Sequence, residues 1–288
     1  MATTHTLETP EADIVYDVHG PAPAESPRPP LLMIGQPMTA EGFGTLASHF
    51  ADRTVVTYDP RGLGRSVRKD GRVDHVPAVQ AEDVHAVIRA LGAGPVDVFG
   101  SSGGAVAGFA LVTAHPEAVR TFVAHEPPLN GSLPDAAAAE RAGRLMREVY
   151  QAKGSGAGMA AFMALGAWEG EFTDAYFALP PADPAQFGLP AEDDGRRDDP
   201  VLSERSVGVT GYRLDVEALT AAPTRIVVAV GEESRQVFTG RAAIGTAELL
   251  GQEATVFPSH HGGFLGGEFG YAGQPVAFAE KLREVLEG

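Results

Sequence analysis

Residues 96–104 read Val-Asp-Val-Phe-Gly-Ser-Ser-Gly-Gly, and this run constrains the chain more than any other. Val96, Val98 and Phe99 predict an apolar, β-branched strand. Gly100-Ser101-Ser102-Gly103-Gly104 matches G-x-S-x-G, and Ala105 to Ala114 predicts an apolar helix that ends at His115-Pro116. Strand, tight turn and helix with serine at the apex is the arrangement that raises a serine as a nucleophile. Such a turn imposes strained backbone angles on the serine, and small neighbours let strand and helix approach without a Cβ clash. Ser102 has glycine two positions to either side, whereas Ser101 has the bulky Phe99 two before it. Ser102 is therefore the apex, and the N–H of Gly103 becomes an oxyanion donor.

The 288 residues are enough for one large α/β domain or a core with an insertion. With no cysteine there is no disulfide framework, no thiolate metal site and no cysteine nucleophile. The formal charge of −16 disfavours nucleic acid, anionic membranes and polyanionic substrates as partners. The first twenty residues lack a basic segment followed by an apolar run, and no apolar stretch approaches the ~20 residues of a membrane span. A cytoplasmic protein is expected.

Along the chain, strand-like and helix-like segments alternate. Strands are predicted at Ile14–Val18, Leu31–Ile34, Thr54–Tyr58, Val96–Phe99, Thr121–Ala124, Ile226–Val230 and Ala254–Phe257. Helices are predicted at Phe43–Phe50, Val79–Leu91, Arg241–Leu250 and Pro275–Leu286. Continuous apolar strands between helices indicate a mostly parallel sheet covered on both faces. The alternation breaks between Leu133 and Ala222. Helical patterns at Ala136–Tyr150 and Gly158–Trp168 and a loop-like, charged stretch over Pro180–Pro200 predict a helical insertion there. The division is thus a core of residues 1–132 and 223–288 with a cap of residues 133–222.

Three motifs, by their order and spacing along the chain, resemble the α/β-hydrolase superfamily. They are the Ser102 turn; Tyr58-Asp59-Pro60-Arg61-Gly62-Leu63-Gly64-Arg65-Ser66, similar to a Y-D-x-R-G-x-G-x-S turn; and Phe257-Pro258-Ser259-His260-His261-Gly262-Gly263-Phe264, similar to the family's late histidine loop. The best subgroup match is to small cofactor-free hydrolases near the esterases and non-haem haloperoxidases. The resemblance implies the α/β-hydrolase fold: an eight-stranded, mostly parallel sheet with helices on both faces, a helical cap, and a triad in the order serine, acid, histidine. In that family the Asp59–Arg61 turn is structural, and a local ion pair is expected there.

The resemblance implies His261 as the base, because Gly262-Gly263 follow it and allow the loop to bend over the serine. It leaves two places for the acid. Glu126 directly follows a strand and precedes Pro127-Pro128; Glu233 lies in Gly231-Glu232-Glu233-Ser234, one step early for the usual aspartate. Glu126 is preferred and Glu233 is the alternative. Ile34-Gly35-Gln36-Pro37 stands where the family has H-G-x-P, so the Gln36 N–H is expected beside that of Gly103 in the oxyanion hole. No metal or organic cofactor is called for. The cap is rich in large apolar residues such as Met146, Tyr150, Phe162, Trp168 and Phe172. Most of them are expected to pack cap on core, and some to roof a mainly apolar pocket. The expected activity is serine-mediated hydrolysis of a small or medium hydrophobic carboxylic ester or lactone. The same frame also admits a cyclase, acyltransferase, lyase or perhydrolase reaction, or a non-catalytic ligand-binding role. Product analysis in labelled water and a fluorophosphonate probe separate these.

Overall fold

In the computed structural model, which describes residues 2–288, the apolar runs pair into a single sheet. Its strands are β1 (Thr3–Glu8), β2 (Ala12–His19), β3 (Leu31–Ile34), β4 (Val55–Tyr58), β5 (Val67–Arg68), β6 (Val96–Ser101), β7 (Val119–His125), β8 (Arg225–Gly231) and β9 (Thr255–Phe257). The order is β1-β2-β4-β3-β6-β7-β8-β9, with β5 off this path on β2. From β4 to β9 the pairs are parallel; β1, β2 and β5 join antiparallel. The main path has the eight strands expected, and β5 is an additional two-residue pairing. β1 escapes an apolarity-based reading because its side chains are mostly exposed and polar.

β3, β4 and β6 are buried throughout, which explains their unbroken apolar sequences. Side chains alternate between two cores. Val96 and Val98 face the helices Pro77–Leu91 and Gly103–Ala114 through Val84, Val87, Ile88 and Phe109. Phe99 faces the opposite layer, where Phe43, Leu46, Phe278 and Leu282 come from residues 40–48 and the helix Pro275–Glu287. The segment predicted as one helix at Phe43–Phe50 is a 3₁₀ turn, Ala40–Phe43, followed by a short α-helix, Gly44–Ser48. No helix of residues 2–288 is long and apolar enough to cross a membrane.

Between β7 and β8 the chain leaves the sheet for the helices Ala136–Lys153 and Ser155–Ala167 and several shorter turns. Met146, Tyr150, Leu165 and Phe172 form a third apolar cluster here, joined by Ala242 from the core helix Phe238–Leu249. An isolated bridge, Glu169 to Val237, and the half-buried pair of Arg241 with Asp135 fasten this segment to the core. The cap's large side chains therefore pack mainly on one another and on the core.

The turn after β4 departs from the expected local pair. Asp59 and Arg61 do not bond each other. Asp59 accepts from the Ala40 N–H at 2.9 Å and from Arg65 Nε at 2.7 Å, while Arg61 makes a bidentate pair with Asp83 at 2.6 Å. Pro60 separates the two charges, and Asp83, the partner of Arg61, lies on the buried face of the neighbouring helix. Both charges still serve the turn's shape.

Candidate active site

The sharp turn predicted at 100–104 is built by glycine contacts on both sides. A Cβ on Gly100 would lie 2.9 Å from Ala105 Cα, and one on Gly104 would lie 2.2 Å from the Ile34 carbonyl oxygen. Between them Ser102 adopts φ 56°, ψ −127°, a conformation that costs a non-glycine residue energy. Its N–H donates to the His125 carbonyl at 2.9 Å, tying the apex to the adjacent strand. Ser101 is the last residue of β6, buried, with its hydroxyl 3.2 Å from His125 Nδ1. Only Ser102 stands clear of the sheet.

β7 runs beside β6, with Ser101 opposite His125, so the residue after β7 emerges next to Ser102. That residue is Glu126, fully buried, with φ 46°. One carboxylate oxygen accepts from the Gly231 N–H at 2.8 Å; the other accepts from the Thr239 hydroxyl at 2.6 Å and from His261 Nδ1 at 2.7 Å. Burial is the largest single influence on this carboxyl and would raise its pKa. The hydrogen bonds and charge of His261, with His125 and Thr239, overcome it and hold the acid well below the usual carboxylate range. Because an ionised carboxylate only accepts, His261 donates to it through an Nδ1–H.

His261 follows β9 on a loop that folds on itself: the Gly263 N–H bonds the His260 carbonyl at 2.7 Å, and the Gly262 N–H bonds His260 Nδ1 at 3.0 Å. His260 is thereby turned into its own loop. Glu233 is exposed and reaches only Gln274, at 3.5 Å. Of the two candidate acids, the structure brings Glu126 to the histidine and leaves Glu233 outside. It does not bond His261 to Ser102: among the described residues the Ser102 hydroxyl has no partner within 3.5 Å. Such contacts are often long in unliganded enzymes and tighten with substrate.

Gln36 lies after β3, against the start of the helix Gly103–Ala114. A Cβ on Gly103 would lie 2.7 Å from the Gln36 carbonyl oxygen, so the two backbones touch. Among the described residues neither the Gln36 nor the Gly103 backbone N–H finds an acceptor. The Gln36 side chain, 4% exposed, accepts a hydrogen bond from Gln80, 1% exposed, on the helix Pro77–Leu91. A small cavity of ≈ 80 Å³, lined by Arg61, Asp70, Asp74, His75 and Gln80 among others, lies beyond Gln80; Ser102, Glu126 and His261 do not line it.

Three contributors went unrecognised in the sequence. Thr239 carries no local signal, since its partner is 113 residues away. Gln80 was legible as a polar residue on an apolar helix face. His125, wholly buried, sits stacked 5.9 Å from the His261 ring, and burial lowers its pKa to about 4, so it is a neutral packing element.

The chain is similar in sequence and fold to known hydrolases. A family model described as the alpha/beta hydrolase fold matches residues 31–155. YraK of Bacillus subtilis strain 168, an uncharacterised hydrolase, is 31% identical over 98% of this chain and 95% of its own. Among solved structures, a thermophilic esterase from Thermogutta terrifontis is similar with TM-score 0.63 at 19% identity, over 100% of this chain and 98% of that one. Est816, described as an N-acyl homoserine lactone degrading enzyme, is similar with TM-score 0.63 at 20% identity, over 97% and 99%. The chain belongs to the α/β-hydrolase superfamily. Within it, this chain is a hydrolytic enzyme.

Proposed function

We propose that this hydrolase cleaves a small or medium hydrophobic carboxylic ester or lactone through an acyl-enzyme on Ser102. The observation that carries the proposal is the 2.7 Å bond from the buried Glu126 to His261, emerging beside the strained apex at Ser102. His261 Nε2 takes the Ser102 proton as Oγ attacks the carbonyl carbon, and Glu126 stabilises the imidazolium that forms. The backbone N–H groups of Gln36 and Gly103 receive the negative charge on the carbonyl oxygen. The leaving alcohol, or the opened end of a lactone, takes the proton back. Water, activated by His261, then attacks the acyl carbon and frees Ser102.

The preference for an apolar acyl group rests on the rim of the oxyanion loop. Phe269, 57% exposed, lies over Gly42 beside Met38, two residues past Gln36, and Tyr271 is exposed nearby in sequence. Esterase and lactone-degrading activities are both named for proteins of this fold, which supports the bond class without choosing within it. The test is turnover of short p-nitrophenyl esters by Ser102→Ala. Turnover falls by several orders of magnitude while the far-UV spectrum is unchanged. Full retention would refute the covalent route. A parallel run in ¹⁸O-water places one solvent oxygen in the acid product; an acyl-transfer or cyclising enzyme would leave it unlabelled.

A further inference from the structure

The helix Pro77–Leu91 places Glu82 and His85 three residues apart, on one side of the helix. The helix Gly103–Ala114 packs beside it and stops at His115, its C-cap, with Pro116 following. The two imidazoles stack with centroids 3.6 Å apart at 21°, and His115 Nε2 lies 2.9 Å from Glu82 Oε1. One ligand atom from each of the three residues lies within 4.8 Å of the others. The proposed mechanism uses none of them. The twelve-residue helix between Ser102 and His115 separates them from the active site by about 18 Å at 1.5 Å per residue.

We infer that Glu82, His85 and His115 form a binding site for a divalent transition metal of the zinc class, with water completing the shell. Two imidazoles and one carboxylate suit zinc, nickel or copper; magnesium and calcium take oxygen ligands. Around zinc, with bonds of ~2.0–2.1 Å to nitrogen, neighbouring ligand atoms stand about 3.4 Å apart and the ion lies in the plane of each ring, so binding turns the two imidazoles out of their stack to converge on it. The bound ion would clamp the helix Pro77–Leu91 to the end of its neighbour. Its effect falls on stability, and ester turnover is unchanged.

The test is calorimetric titration of the chelator-treated full chain with zinc chloride, alongside His85→Gln and His115→Gln. Wild type binds one equivalent saturably and its thermal midpoint rises. Each variant loses at least ~10-fold in affinity, with a metal-free midpoint near that of wild type. Cobalt(II) gives visible ligand-field bands in wild type that both variants lack. Absence of saturable binding would overturn the inference, as would undiminished affinity in both variants, which would place the ion elsewhere, such as at His260 and His261. If one variant fails to fold, the other carries the comparison.

Discussion

Replacing Glu126 by Gln tests the chemistry at its most specific point. The side chain keeps its shape but exchanges one oxygen for an NH₂ group. The Gly231 N–H can only donate, so the amide oxygen stays with it; the opposite orientation would bury two donors face to face at a cost of ~1–3 kcal/mol. The NH₂ then points at the Thr239 hydroxyl and His261 Nδ1. The hydroxyl can rotate to accept. The imidazole can accept only by moving its proton to Nε2, the nitrogen needed as the base. Wrong tautomer and lost charge together cost a triad ~10⁴ in turnover, about 5 kcal/mol of barrier. The assay is kcat on a p-nitrophenyl ester with circular dichroism as the folding control. Glu233→Gln is the matched comparison: exposed and weakly bonded, it changes kcat by less than about 3-fold, as a surface substitution should. A Glu126→Gln enzyme within ten-fold of wild type would refute the reasoning, and a severe loss at 233 would move the acid there.

Two further outcomes follow from the same geometry. Gln80→Leu releases the Gln36 side chain and lowers kcat by about ten-fold with KM little changed, less than the ~10²–10³ of losing an oxyanion donor outright; steady-state kinetics check this, and an unchanged kcat would show that Gln36 needs no such support. His125 and His75 are both held down to about 4 by burial, while an unfolded histidine titrates near ~6.5. Between those values the unfolded chain takes up protons that the folded chain refuses, so stability is full above about pH 6.5 and falls towards pH 4. The urea midpoint declines across that window, less steeply in His125→Gln; a flat midpoint in wild type would contradict the burial argument.

Legibility in the sequence tracked how local each cause is. β3 and β6 were readable because both faces of each strand are buried, and the Ser102 turn because its glycines are adjacent in sequence. The second serine could be excluded from the same few residues. The choice between Glu126 and Glu233 was harder, because both follow strands and only tertiary packing carries His261 to one of them. Thr239 and His125 matter through partners distant in sequence, which no spacing rule reaches. Asp59 and Arg61 misled for the opposite reason: closeness in sequence suggested a pair, while the turn sends them to Arg65 and Asp83. β1 was hidden by its polar, exposed side chains, since only its backbone joins the sheet.

The most direct measurement is covalent labelling of the purified protein by a fluorophosphonate, followed by intact mass and peptide mapping. Phosphonylation needs a serine hydroxyl activated by a base and an oxyanion site that accepts the tetrahedral phosphorus. The expected result is one adduct per chain, on Ser102, absent in Ser102→Ala and strongly slowed in Glu126→Gln. An unlabelled wild-type protein, or an adduct on Ser101, would contradict a nucleophilic Ser102 paired with His261 and Glu126.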